Sequence, residues 1–258
     1  TWRKGTMYGF KATDRSDEKF QYICPRCIDN DGYHSTASRT AEVVGKVENG
    51  IICGIEFEMT EMSDFARNWF YSKNWKATND GSLNGSTSCE MVSNPNKGFK
   101  AFTKQLPVID EMLNNDIIGM DRSGGTHFHV SLNNMVTSRG NNAMYILRRN
   151  RKNIFGLMEE LMRNNPQKTV AFFGRNFTHY ADTFANRSAS EKYCWLNLNY
   201  DNNVEFRLNK FVNAEQYHKL CMFEIDVIKY VVNNIDNPKV KFSKMAQVIA
   251  NKLEKAWG

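Results

Sequence analysis

The chain has 258 residues, of which 41% are hydrophobic, 12% aromatic and 24% charged, enough for a sizeable packed core and too apolar for global disorder. Its 34 basic and 28 acidic residues leave a formal net charge of +6, which suits an anionic ligand such as a nucleotide. No run approaches the roughly 18 apolar residues that cross a bilayer, residues 1–4 lead into no secretory segment, and six scattered cysteines form no disulfide framework. We therefore expect a protein of the reducing cytoplasm with no membrane partner.

Residues 1–49 differ from the rest of the chain because they are polar, rich in turn-forming residues and without a long apolar period. We interpret them as an N-terminal extension with short strands. Regular patterning begins at Ile51, so we expect residues 50–258 to form the main domain.

The extension carries Cys24 and Cys27 in a C-x-x-C knuckle, which is the usual half of a zinc ribbon. His34 and Cys53 are candidates for the third and fourth ligands of a structural Zn²⁺, although neither spacing is standard. A redox pair is less favoured because no thioredoxin-like β-α context surrounds the motif. Two reduced thiols in a turn remain an alternative.

Short segments in which apolar and polar residues alternate predict strands with one buried face. They are residues 51–59, 87–92, 126–132, 194–200 and 203–209. The last two are separated by Asp201 and Asn202, and these turn-forming residues predict a hairpin.

Apolar residues at helical spacing fill the gaps between the strands. Ser63 is a predicted N-cap, and Pro107 should kink or split the second helix. The predicted stripes lie within residues 65–70, 99–113, 154–162, 217–232 and 245–253. Because strands and helices are intermixed, we expect an α+β or mixed α/β class around one sheet.

The polar faces of the predicted strands carry a distinctive set of side chains. They are carboxylates, imidazoles and one guanidinium: Glu56, Glu58, Glu90, His127, His129, Glu205 and Arg207. If the strands are neighbours, carboxylates about 4 Å apart repel by several kcal/mol at moderate dielectric, and divalent cations relieve this repulsion. Oxygen ligands with one or two imidazoles favour Mg²⁺ or Mn²⁺. A guanidinium fork beside them suits a phosphate oxygen, so the set indicates phosphoryl transfer.

Four motifs resemble, in their order, those of the amidoligase family, whose members are carboxylate–amine ligases with a glutamine-synthetase-like catalytic fold. They are GIEFE at 54–58, NDGSL at 79–83 leading to EMVSNP at 90–95, GGTHFHV at 124–130 and NVEFR at 203–207. The resemblance leaves residues 1–49 outside it.

The resemblance implies a curved, mainly antiparallel sheet that forms a catalytic cup, with helices packed on its outer face, in an amidoligase-like domain over 50–258. It also implies ATP-dependent formation of an amide or isopeptide bond. A substrate carboxylate takes the γ-phosphoryl group, and an amine then displaces phosphate from the acyl phosphate. The two substrates are small molecules, peptides or protein side chains, and the sequence does not distinguish among these.

The same resemblance implies roles for the acidic residues in the first half of the chain. Glu56 and Glu58 would hold metal at the nucleotide and the incoming carboxylate, which makes Glu58 a catalytic candidate. Glu90 would complete that metal shell. Asp80 would orient or deprotonate the amine.

For the later motifs, the resemblance implies that His129 and Glu205 hold the metal that bridges the ATP phosphates, with His127 beside them. Arg207 would stabilise the transferring phosphoryl group. The family usually supplies further basic residues between these two motifs. Arg175 and Arg187 are our candidates for such phosphate or carboxylate contacts, and ordinary surface arginines are the alternative.

Three other functions remain open. A phosphotransferase on the same kind of sheet would stop after phosphorylating its substrate. A zinc hydrolase would use His127, His129 and a glutamate without ATP. A nucleic-acid-binding module would use the Cys24/Cys27 knuckle and the basic run at 148–152, but such a run is more typical of a solvated helix face.

Overall fold

The computed structural model describes residues 50–78, 83, 85, 87–121, 124–132, 135–177, 194–198 and 202–258. The strands are β1 Ile51–Met59, β2 Glu61–Met62, β3 Lys76–Thr78, β4 Cys89–Val92, β5 Asn96–Lys97, β6 Ile118–Gly119, β7 Thr126–Leu132, β8 Leu196–Asn197 and β9 Val204–Phe206. The α-helices are α1 Asp64–Ser72, α2 Leu106–Asn114, α3 Ala143–Asn164, α4 Pro166–Phe173, α5 Ala214–Asn234 and α6 Phe242–Ala256.

Seven of the described strands form one sheet in the order β3-β4-β1-β7-β9-β8, with β5 also paired to β1. Strands β2 and β6 form a separate two-stranded sheet. The pairs β1–β4, β3–β4, β7–β9 and β8–β9 are antiparallel. The expected α+β class with an antiparallel sheet is therefore confirmed.

One compact unit contains Gly54–Asn96 and Lys104–Thr126. In it, α1 begins where the sequence predicts, because the Ser63 side chain accepts a hydrogen bond from the backbone N–H of Ala66. The same helix buries Phe70 against Trp75, with ring centroids 5.2 Å apart, and Trp75 in turn lies 5.6 Å from Phe57 of β1. This aromatic cluster covers the apolar face of β1.

A second compact unit contains the described residues up to Cys53, then Lys97–Thr103 and His127–Gly258. Helix α3 packs against α4 and α6, and α5 packs against α4 and α6. Phe128 of β7 meets Phe99 edge-on at 5.6 Å, so the apolar side of this strand is also sealed by aromatic rings.

The predicted helices are present, but Phe65 and Leu157, which lie in the predicted apolar stripes, are exposed. As predicted, the stripe at 99–113 is split, into a short 3-10 helix at Phe99–Ala101 and α2 with its proline at the first turn. Helix α4 was not predicted. The basic run at 148–152 lies inside α3, and its interpretation as a solvated face is wrong for Arg151, which is buried because it lies among the inward-facing residues of α3. None of the described helices is long and apolar enough to span a membrane.

Candidate metal and phosphate site

Strand register brings together the polar groups of β7 and β9. Phe128 pairs with Phe206 and Val130 with Val204, so His129 lies directly opposite Glu205. All four apolar partners are fully buried, which holds this face of both strands against the core. Since side chains alternate between the two faces of a sheet, the imidazole and the carboxylate share the other face.

The carboxylate of Glu205 has three polar side chains around it. Its Oε1 accepts a hydrogen bond from Arg207 at 2.5 Å and lies 3.2 Å from Nδ1 of His127. Its Oε2 accepts a hydrogen bond from Nδ2 of Asn197 on β8 at 2.6 Å. Side chains from β7, from β8 and from Arg207, the residue after β9, therefore hold one carboxylate in a single orientation.

The electrostatics of this group depend on its burial. The side chains of Glu205, His127 and Arg207 are 1%, 3% and 11% exposed. An ionised carboxylate at such a depth needs charged or hydrogen-bonding partners, and the guanidinium supplies the countercharge. The polar side of the strands is thus largely withdrawn from water, unlike an ordinary outer face of a sheet.

Ligand atoms of His129 and Glu205 lie within 4.8 Å of each other. Glu56 and His129 are half-buried and Glu205 is buried. A carboxylate and an imidazole on one strand pair supply ligands that suit Mg²⁺ or Mn²⁺, whereas a closed structural zinc site takes four protein ligands. These residues therefore fit the divalent cation that the sequence predicts.

A second acidic pair lies on β1 and β4. Glu58 pairs directly with Glu90 in the antiparallel register, and both are buried, at 7% and 6% exposure. Directly opposed side chains on such strands have Cβ atoms about 5 Å apart. Carboxylate charges about as far apart as these Cβ atoms would repel by about 3 kcal/mol at an effective dielectric of 20. The pair therefore favours a bound cation.

The glycines of the third motif allow the backbone to approach β1 closely. The N–H of Glu58 donates to the carbonyl of Gly125 at 2.9 Å. A Cβ on Gly124 would lie 2.4 Å from the carbonyl oxygen of Glu58, which no side chain tolerates. The glycine at 124 thus lets the chain enter β7 beside the acidic strand.

Arg175 is buried in the turn that follows α4. That turn is fixed by Gly174, which adopts φ +80°, and by a 2.7 Å hydrogen bond from the N–H of Lys210 to the carbonyl of Phe173. Arg175 is not among the hydrogen-bonding partners of Glu205. Its burial excludes the alternative of an ordinary surface arginine.

Several predicted residues lie outside the described part of the chain: Asp80, Arg187, Cys24, Cys27 and His34. Cys53, the fourth candidate zinc ligand, is buried in β1. Cys89, Cys194 and Cys221 are free thiols buried in the core. Burial raises the pKa of the Cys89 thiol to about 12, so this group stays protonated and unreactive.

Sequence reasoning did not single out Asn197 as a functional residue. It lies opposite Glu205 in the β8–β9 pair, on the face where the predicted alternation had placed it. The short predicted turn between these strands was a usable signal, because a hairpin makes residues on its two arms direct neighbours. Which residue lies opposite Asn197 depends on the register of the β8–β9 pair, and the alternating pattern alone does not specify that register.

No protein-family model matches this chain, and a search of curated proteins returned no match.

Proposed function

We propose that this chain is an ATP-dependent carboxylate–amine ligase of the amidoligase type, and that its main sheet is the catalytic cup of a glutamine-synthetase-like fold. The observation that carries the proposal is the Glu205 carboxylate, which lies opposite His129 and is held by Arg207 and Asn197. A buried acid beside an imidazole and a guanidinium suits a site that binds both a divalent cation and a phosphate.

In this proposal, His129, Glu205 and Glu56 hold Mg²⁺ or Mn²⁺, and the ligand atoms of His129 and Glu205 are close enough to share one ion. The bound cation would neutralise charge on the ATP phosphates. Glu58 and Glu90 offer a second pair of carboxylates, whose mutual repulsion a cation would relieve.

The reaction proceeds in two balanced steps. An oxygen of the substrate carboxylate attacks the γ-phosphorus of ATP, the bond to the β-phosphate oxygen breaks, and ADP leaves. The amine nitrogen then attacks the acyl carbon, phosphate leaves, and a base takes the proton from nitrogen. Arg207, fixed by its bond to Glu205, would stabilise charge on the transferring phosphoryl group. Asp80 is the proposed base.

The test is metal-dependent ATP turnover with pools of amino acids and peptides as carboxylate and amine donors, read as ADP and phosphate release. Glu205→Gln should lower turnover by about 100-fold or more, because it weakens the cation site and unpairs Arg207. Glu254→Gln is the matched control, since Glu254 is exposed on α6. Full turnover in Glu205→Gln would contradict the proposal.

Product analysis separates the alternatives. Ligation consumes the amine in equal amount to ADP released. A phosphorylated product that forms without amine indicates a phosphotransferase instead. A hydrolase is indicated if hydrolysis needs no ATP and if zinc restores it after chelation. A nucleic-acid-binding module is indicated if the protein binds DNA or RNA in a salt-dependent way and if Glu56→Ala leaves this binding unchanged.

Two further predictions accompany the proposal. The cytoplasmic location is supported by four free, buried cysteines among the described residues, which is the usual state in a reducing compartment. A structural Zn²⁺ on Cys24 and Cys27 remains a prediction, and metal analysis of the purified protein tests it.

A further inference from the structure

A buried carboxylate and a buried indole lie beneath the sheet, away from the cation site. Glu159 on α3 is 5% exposed, and its Oε1 accepts a hydrogen bond of 2.7 Å from Nε1 of Trp195, which is 1% exposed. Burying a carboxylate in an apolar layer is costly unless it makes a hydrogen bond. The hydrogen bond from the indole therefore offsets part of the cost of burying this group.

Trp195 joins α3 to the strand that carries the phosphate-site arginine. Its backbone carbonyl accepts the N–H of Arg207 at 2.8 Å. Its ring packs edge-on against Phe155 of α3, with ring centroids 5.6 Å apart. It also packs against Phe206 of β9 in a tilted arrangement, with ring centroids 6.1 Å apart. The chain bends at Trp195, so its ring turns to the helix side.

Two residues next to Trp195, one along the chain and one across the strand pair, contact the carboxylate of the proposed cation site. Asn197, two residues after Trp195, donates to Glu205, and Arg207, hydrogen-bonded to the Trp195 backbone, donates to the same carboxylate. Strand β8 is only two residues long and lies at the end of the sheet. So short an edge strand needs an anchor outside its own ladder to stay in register.

We infer that Glu159 is a positioning residue: through the indole of Trp195 it holds β8 against β9, so that Asn197 and Arg207 keep the Glu205 carboxylate turned toward the bound cation. This inference rests on the proposed function, because it assumes that Glu205 is a cation ligand. Groups that orient a metal ligand are commonly worth about 10- to 100-fold in metal affinity.

The experiment measures Mn²⁺ affinity by electron paramagnetic resonance, together with hydrogen exchange of the Arg207 amide. Glu159→Leu and Trp195→Phe both remove the hydrogen bond, and the second keeps an aromatic ring that packs. Both should weaken Mn²⁺ binding by about 10-fold or more and speed exchange of that amide. Glu159→Gln keeps an acceptor oxygen and should restore both readouts, while Glu160→Leu on the exposed side of α3 should change neither.

The outcomes separate the inference from the proposed function. If the wild-type protein binds no Mn²⁺, the cation site fails and the inference falls with it. If the wild type binds Mn²⁺ and the folded Trp195→Phe variant binds it equally well, the inference alone is overturned. Failure of Glu159→Gln to restore affinity would also overturn it, because the hydrogen bond would then not be the cause.

Discussion

Replacing Glu159 by Gln should remove a pH dependence from the stability of this protein. Burial raises the pKa of the Glu159 carboxyl from 4.5 to about 7. The hydrogen bond from Trp195 and the charges of Arg151, Arg163 and Lys152 act in the opposite direction and do not outweigh burial. The glutamine variant keeps an acceptor for the indole and has no proton to lose.

The sign follows from which state holds the proton. Between the two pKa values the folded protein keeps the Glu159 proton and the unfolded chain releases it, so raising the pH favours unfolding. The stabilising contribution is complete below about pH 4.5 and is lost as the pH rises through about 7. At about 1.4 kcal/mol per pKa unit, the difference between 4.5 and about 7 corresponds to about 3 kcal/mol.

Urea unfolding at several pH values between about 4 and 8 measures the effect. The free energy of unfolding of Glu159→Gln minus that of the wild type should rise by about 3 kcal/mol across this window. Glu160→Gln, on the solvent side of the same helix, should follow the wild type. Parallel curves for the wild type and Glu159→Gln would refute the argument, since a carboxyl whose pKa is the same in both states contributes no such slope.

Three further substitutions test other parts of the fold and site. Gly174→Ala should destabilise by about 1 to 3 kcal/mol in thermal unfolding, because the residue adopts φ +80° and a Cβ there would lie 2.6 Å from the carbonyl oxygen of Lys210. Glu58→Gln should raise the metal-free free energy of unfolding by up to about 3 kcal/mol by relieving its repulsion with Glu90, and it should weaken Mn²⁺ binding in the same preparation. Ser63→Ala should cost about 1 kcal/mol, since it removes the N-cap of α1.

Matched variants isolate each cause. Gly140 also has a left-handed φ, +79°, but nothing lies within 4 Å of its Cβ position, so Gly140→Ala should cost less than Gly174→Ala, and equal losses would contradict the clash. Glu61→Gln, at an exposed site, should leave the metal-free stability unchanged. Ser63→Thr retains a capping hydroxyl, so a loss as large as that of the alanine variant would rule out the cap as the cause.

Much of the local structure could be predicted because long alternating patterns are hard to mistake. Strands β1 and β7 begin and end at the predicted residues. Strands β8 and β9 are shorter than the predicted segments 194–200 and 203–209, with two and three residues. In a short strand, the bend at Trp195 is enough to break the alternation, and no periodicity signals such a bend.

Part of the candidate site could likewise be predicted from the sequence, and part could not. The acidic, imidazole and guanidinium residues could be selected from the sequence because they share one face of their strands. The contact between Glu159 and Trp195 could not be predicted, because a helical glutamate followed by a second glutamate, Glu160, looks like an ordinary surface residue. Only packing against Trp195 made it a buried hydrogen-bond acceptor.

By itself, the sequence determined which residues lie on each face of the long strands β1 and β7, since alternation acts over a few neighbouring residues. Tertiary structure decided which strands became neighbours and in what register, and so placed Asn197, His129 and Arg207 around Glu205. The physical reason is that strand pairing between distant segments depends on how their buried faces pack together, and local patterns carry no information about that partner.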